Sequence, residues 1–262
     1  MKTTLAAITL ASLSAGALFA QNGIDNLEIK GDVGYEGEYI SRGKEHSDGN
    51  MQVNVKTGYS IPGMGETSPL LYANLFAMLP VAQHYNQVDW TLGAKASYEA
   101  FTFDIGYTLH TYPNNDSFAP AETNRGDYNR SNEVFIGAST SQYEWFTPKA
   151  YIYYDFNLQQ VTYEAMLTRR VEGQDLGLSP DLAFDLAAYI GYLSARRYDG
   201  DQGAAKVRNG YAYAGLSADV VYRIAPNANV SLGMRYAWNN DGEHGNNTEK
   251  NLWWGTKVTF AY

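Results

Sequence analysis

The sequence predicts an all-β fold: a transmembrane antiparallel up-and-down β-barrel of twelve strands, behind a cleaved signal peptide. Three observations predict it. Segments of about ten residues alternate apolar with polar side chains along most of the chain, as half-buried strands do. Long polar connections largely alternate with short ones, as a barrel with both termini on one side requires. Beyond the first twenty residues no apolar run approaches the roughly 20 residues of a spanning helix, so any membrane crossing must use strands.

The first element is an address. Lys2 precedes an apolar run from Leu5 to Ala20, and Ala17-Leu18-Phe19-Ala20 makes a small-x-small cleavage site before Gln21. Residues 1–20 therefore read as a signal peptide and 21–262 as the barrel, with a retained N-terminal anchor as the rival reading. The absence of cysteine excludes disulfides, thiolate metal sites and cysteine nucleophiles, and no cofactor is expected. A net charge of −9 argues against nucleic acid as a partner, because phosphate binding needs a basic face. The mean hydropathy of −0.38 is what a barrel gives when half of each strand and all long loops face water. Aromatic residues make up 14 %, with 22 Tyr, which favours strands over a helical bundle.

The first strand spans about Glu28 to Ser41, with Ile29, Val33, Tyr35 and Tyr39 opposite Lys30, Asp32, Glu36 and Glu38; an outer loop is expected from Arg42 to Asn50. The second, Met51 to Ile61, sets Val53 and Val55 against Asn54 and Lys56, and Pro62-Gly63 breaks it. The third, Leu70 to Leu79, is apolar on both faces and taken alone also fits a short helix. The fourth runs from Gln87 to Tyr98 with Trp90 and Leu92 opposite Asp89 and Lys95; after a tight turn at Glu99-Ala100, the fifth sets Phe101, Phe103, Ile105 and Tyr107 opposite Asp104 and His110. A polar insert, Tyr112 to Asn132, belongs outside.

The sixth strand is Glu133 to Thr140. The seventh sets Ala150, Ile152, Tyr154 and Phe156 opposite Tyr151, Tyr153 and Asp155, after an aromatic link through Tyr143, Trp145 and Phe146 that fits an interfacial girdle. The eighth, Gln160 to Thr168, places Glu164 inward; the segment Arg169 to Pro180 that follows is long for a periplasmic turn and breaks the pattern. The ninth, Asp181 to Leu193, carries Asp185 and Tyr189 inward. The tenth, Gly210 to Tyr222, and the eleventh, Asn229 to Trp238, carry Asp219 and Arg235 inward and flank Ala225-Pro226-Asn227. Charged loops are expected at 195–208 and 239–251. The last strand puts Trp254, Val258, Phe260 and Tyr262 on one face and Lys257 and Thr259 on the other. Twelve is even, which returns the C-terminus to the side of the N-terminus; ten and fourteen stay compatible with the pattern.

Two stretches carry a resemblance. The terminal Phe260-Ala261-Tyr262 resembles the C-terminal aromatic signal of bacterial outer-membrane barrels, which implies that Phe260 and Tyr262 serve the barrel assembly machinery. The run Gly31-Asp32-Val33-Gly34-Tyr35-Glu36-Gly37-Glu38-Tyr39-Ile40-Ser41-Arg42-Gly43-Lys44, followed by Ser47-Asp48-Gly49 and Gln52, resembles the opening motif of TorF-type putative porins. Glu38 departs from it, standing where a small polar residue is expected. This resemblance implies a small barrel in the bacterial outer membrane, in contact with its lipid, with pore function and no defined substrate.

Alternation assigns the lumen. Asp32, Glu36, Glu38, Asp89, Asp104, Glu133, Asp155, Glu164, Asp185 and Asp219 face inward against Lys30, Arg42, Lys56, Lys95, Arg235 and Lys257. Acid outnumbers base, so the expected function is a porin-like passage for small hydrophilic solutes or ions with a weak preference for cations. The same charges can instead pair and hold a narrow barrel shut, leaving a non-conducting structural or adhesive barrel that works through its outer loops. Inward Tyr151, Tyr153, Tyr189, Tyr211 and Tyr213 narrow the passage and offer stacking surfaces to a sugar. Arg42 with Glu38 and Asp48 reads either as a clamp or as a pin for a loop. No enzyme is expected: the sequence holds no Gly-x-Ser-x-Gly elbow, and His46, His84 and His244 fall in predicted loops, leaving only His110 near a strand end.

Overall fold

Alternating β-branched and aromatic side chains build twelve strands in the computed structural model, which describes residues 26–62, 67, 69–81, 86–113, 130–194, 210–240 and 250–262. The predicted signal peptide and most of the three long polar loops, with His84 and His244, lie outside the described residues. The first six strands are β1 Leu27–Ser41, β2 Lys44–Ser60, β3 Leu70–Pro80, β4 Gln87–Tyr98, β5 Phe101–Thr111 and β6 Arg130–Thr140. The rest are β7 Thr147–Asp155, β8 Gln160–Glu172, β9 Leu182–Ser194, β10 Tyr211–Ala225, β11 Ala228–Asn239 and β12 Lys250–Ala261. Each pairs antiparallel with its sequence neighbours, and β12 pairs with β1 to close the barrel.

Closure is carried to the last residue. Lys30 lies opposite Ala261 and Glu36 opposite Gly255, and the backbones of Ile29 and Tyr262 exchange hydrogen bonds of 2.9 and 2.8 Å. A closed barrel has no free edge to aggregate or to leave unpaired in lipid. The outward face is apolar: Leu92, Ile105, Ile136, Ile190 and Leu232 are 65, 59, 57, 64 and 59 % exposed. At about 25 cal/mol per Å² such a belt is unfavourable in water and at home in hydrocarbon. The barrel therefore spans a membrane, and Tyr143, Trp145 and Phe146 stand exposed on the turn between β6 and β7, at the end that carries both termini.

The interior is filled by aromatics that lie over glycines of neighbouring strands. A Cβ at Gly93 would overlap the Tyr72 ring, one at Gly137 the Tyr151 ring, and one at Gly191 the Tyr213 ring. These close approaches let large inward rings lie flat against the wall.

Two expectations need correction, for the first loop and for the connection after Thr168, and the expected third strand is present. The stretch from Lys44 to Asn50 is strand, not loop, and only Arg42-Gly43 turns the chain. The ambiguous third segment is a regular strand with Tyr72 turned inward to Asp104 and Leu71 outward. The long connection after Thr168 is mostly ladder: β8 continues to Glu172, with Arg170 opposite Asp185, and a 3-10 turn over Gly173–Leu176 ends on Gly177 at φ 71°.

Candidate functional site: the lumen and the hairpin across it

The outer half of the first hairpin leaves the wall. The β1 pairing with β12 stops at Glu36 opposite Gly255, although β12 continues outward to Lys250. The β2 pairing with β3 stops at Asn50 opposite Pro80. Gly49 still accepts a 2.8 Å backbone hydrogen bond from Val81, but residues 37–48 form ladder pairs only within the hairpin, with a register shift after Tyr39, and their tip contacts strands that are not neighbours of β1 or β2. Both turn residues have positive φ, 51° at Arg42 and 75° at Gly43, as a two-residue type I′ hairpin needs. Glycine adopts this freely, whereas an arginine there costs about 1–3 kcal/mol unless its surroundings hold it.

Those surroundings are the far wall. Arg42 Nη2 lies 2.6 Å from Glu133 Oε2 on β6, and its guanidinium sits 5.1 Å from the centre of the Tyr153 ring on β7. The Gly43 carbonyl accepts a 2.6 Å hydrogen bond from Asn239 Nδ2 on β11, and Lys44 Nζ lies 4.7 Å from the Tyr211 ring centre on β10. The hairpin thus crosses the outer part of the lumen. Beneath and beside it Ser47, Asn50, Met78, Tyr213 and Asn239 are sealed from solvent. Its tip contacts the far strands through an ion pair, cation–π contacts and a hydrogen bond.

A chain of charges continues from the latch. Glu133 Oε1 is 3.9 Å from His110 Nε2, whose Nδ1 is 2.9 Å from Asp89, and Gln87 donates to Asp89 at 2.8 Å. Ser131 donates to the other buried acid of this region, Asp155, which also caps the backbone N–H groups of Asn157 and Leu158. On the opposite side Arg235 bridges Asp219 at 2.8 Å and Glu36 at 3.3 Å, and Trp253 Nε1 donates to Glu36. Glu164 accepts from Tyr213, and Asp32 from Asn54.

The middle of the wall is organised by Asp104. Its carboxylate accepts from Tyr72 at 2.8 Å and Tyr151 at 3.1 Å and lies 3.3 Å from Lys95 Nζ. Tyr151 stacks on Tyr153 with centres 5.8 Å apart, and Phe135 leans on both. Toward the end with the termini Arg170 binds Asp185 and Glu172, and Arg223 binds Asp181. A polar recess of about 410 Å³ opens there among Thr147, Thr168, Arg170, Asp185 and Ser217.

Ladder register thus turns Asp32, Glu36, Lys56, Asp89, Lys95, Asp104, Glu133, Glu164, Asp185, Asp219, Arg235 and Lys257 inward together; Glu38 lies where the hairpin departs and Arg42 at its tip. Phe260 and Tyr262 sit on the closing seam. The sequence pattern, with a seventh strand from Ala150 and an eighth ending at Thr168, leaves out Lys149 and Arg170, which the structure places in β7 and β8. The period-two rhythm continues through both residues and would have included them. His46 belongs to β2, not to a loop, and His110 sits inside the barrel between two carboxylates.

With this geometry the chain can be set beside known proteins. An outer membrane channel from Pseudomonas putida F1 superposes with a TM-score of 0.51 at 11 % identity, over 92 % of this chain and 97 % of that one. The two share a barrel fold. The NanC porin (TM-score 0.48, 12 % identity, 89 % of this chain and 98 % of that one) and the KdgM porin (0.49, 7 %, 90 % and 99 %) are similar at a lower level. No protein-family model matches the chain, and neither does any curated protein sequence.

Proposed function

We propose that the chain is a porin-like channel of the bacterial outer membrane for small hydrophilic solutes, with the β1–β2 hairpin as its closed gate. One observation carries this reading. A lumen walled by charged and hydroxyl groups is crossed by a hairpin that has left both neighbouring strands and is held by an ion pair, a cation–π contact and hydrogen bonds. The barrel fold shared with an outer membrane channel, and the TorF-type motif around Arg42, support the same assignment.

The excess of acids is a poor guide to ion preference. Most inward acids already hold a cation or a hydroxyl, so counting them overstates the negative field in the lumen. Export through a signal peptide ending at Ala20, contact with outer-membrane lipid, and delivery by the barrel assembly machinery through Phe260 and Tyr262 complete the proposal. The competing reading is a non-conducting structural or adhesive barrel, and a hairpin that never withdraws would favour it. Permeation separates the two. Vesicles carrying the refolded chain from Gln21 should pass small sugars when the latch is cut by Arg42→Gln, and should pass them slowly with Arg42 in place. Folded barrels that exclude sugars in both forms would support the competitor.

A further inference from the structure

The inward cations are not distributed like the inward acids. Lys30 and Lys56 lie directly opposite each other on β1 and β2, an arrangement in which like charges repel at a Cβ separation of about 5 Å. Lys56 Nζ and Lys95 Nζ approach the same Tyr72 ring, at 4.6 and 5.6 Å from its centre. Lys149 on β7 and Lys257 on β12 carry further ammonium groups toward the same end, where both termini lie. Among the described residues, Lys30, Lys56, Lys149 and Lys257 have no carboxylate within ion-pair distance. Acids beside this arc are Glu28, Asp32 and Asp104, with Glu36, already bridged by Arg235, near Lys257. Asp32 already accepts from Asn54, and Asp104 is held by Lys95, Tyr72 and Tyr151. The outer half of the lumen pairs its charges, and so do Arg170 and Arg223 toward the termini, while the arc of Lys30, Lys56, Lys149 and Lys257 leaves its ammonium groups without an ion pair among the described residues.

We propose that the inner half of the lumen is a binding site for small organic acids, formed by Lys30, Lys56 and Lys95 around Tyr72. It rests on the reading of the lumen as a solute passage and names the class of solute. The lysines supply the charge for one or more carboxylates, and the buried ring of Tyr72, whose hydroxyl is committed to Asp104, positions two of them, Lys56 and Lys95, by cation–π contact. Lys149 and Lys257 extend the attraction around the wall and raise the local concentration of anions at the inner mouth. An anion bound here relieves the repulsion between Lys30 and Lys56 at closer range than Glu28 and Asp104, which form no ion pair with either.

The test uses citrate and does not require an open gate, because the site faces the end away from the hairpin. The chain from Gln21, refolded into phosphatidylcholine nanodiscs, is titrated with citrate by calorimetry at low ionic strength. Saturable binding is expected, weakened at least tenfold in the K30Q/K56Q variant and about threefold in K149Q. It should be unchanged in K250Q, which alters an exposed lysine at the far end of β12. Salt at about 0.3 M should weaken the wild-type binding, since the screening length then falls well below 10 Å. Absence of saturable binding by folded barrels overturns the proposal, as does equal binding by wild type and K30Q/K56Q. Sugar permeation through vesicles reports separately on the channel. Citrate binding by a barrel that passes nothing keeps the site and removes the passage; sugar flux without citrate binding does the reverse.

Discussion

Cutting the Arg42–Glu133 latch should shift the barrel toward its open state by a calculable amount. The two groups are 2.6 Å apart, with the carboxylate side chain 5 % exposed and the guanidinium side chain 23 % exposed. Removing one partner of a buried pair costs about 3–5 kcal/mol, because the other charge is left without compensation. Two features reduce this: Arg42 is partly hydrated, and His110 stands 3.9 Å from Glu133. A shift of about 2–3 kcal/mol remains, or roughly 30- to 140-fold in the ratio of open to closed barrels at 1.4 kcal/mol per factor of ten. Single-channel recording of Arg42→Gln, Glu133→Gln and the double variant measures it. Each single variant should raise the open probability, and the double should fall short of the sum by about 1 kcal/mol or more, because a neutral hydrogen bond can form across the pair. Arg42→Gly is the discriminating control, since it favours the turn, whose first residue has φ 51°, while deleting the guanidinium. It should open like Arg42→Gln. Open probabilities within threefold of wild type in all of these, from folded barrels, would refute the latch.

Further consequences follow from the wall. Gly191→Val places a side chain into the Tyr213 ring and should lower stability by about 1–3 kcal/mol, seen as an earlier urea midpoint of the refolded barrel. Leu232→Arg puts a charge on the lipid-facing side near the middle of β11, at a cost of about 2–4 kcal/mol, and should reduce folding into vesicles while leaving detergent-folded barrel intact. Deleting Tyr262 removes both backbone hydrogen bonds to Ile29 and the terminal aromatic together. Tyr262→Ala removes only the aromatic, so slow assembly in cells by both variants assigns the defect to the side chain.

The outward face was legible because lipid imposes one rule on every strand. From Gln87 to Tyr98 the alternation of Trp90 and Leu92 with Asp89 and Lys95 fixed even the ends of β4. The rule fails where a strand does not separate lipid from water. Residues 44–48 leave the wall, so lipid no longer imposes the period and the stretch resembles a loop. The Arg42-Gly43 dipeptide between two strand-like runs was the local sign of a hairpin. In β3, Phe76 faces inward against Tyr39 of that hairpin, at 6.0 Å between ring centres, so part of the interior is apolar and the strand reads apolar on both faces. Arg169 misled in the opposite sense. It is a charge in line with lipid-facing Leu167, held by the Trp145 ring at 4.8 Å and the Trp145 carbonyl at 2.6 Å, as an interfacial arginine should be. The partition of the interior into paired outer charges and unpaired inner lysines could not be read from composition, because it depends on register around twelve strands.

The most direct test of a channel closed by its own hairpin is to shorten that hairpin. Replacing residues 39–47 by Asn-Gly keeps Glu38 opposite Asp48 as the last pair and supplies a favourable two-residue turn, while deleting Arg42 and the tip that crosses the lumen. Planar-bilayer recording of this variant should give frequent discrete conductance steps, against rare openings of the full-length barrel. A shortened barrel that folds and stays silent would contradict the account, since the lumen would then be closed by its own wall.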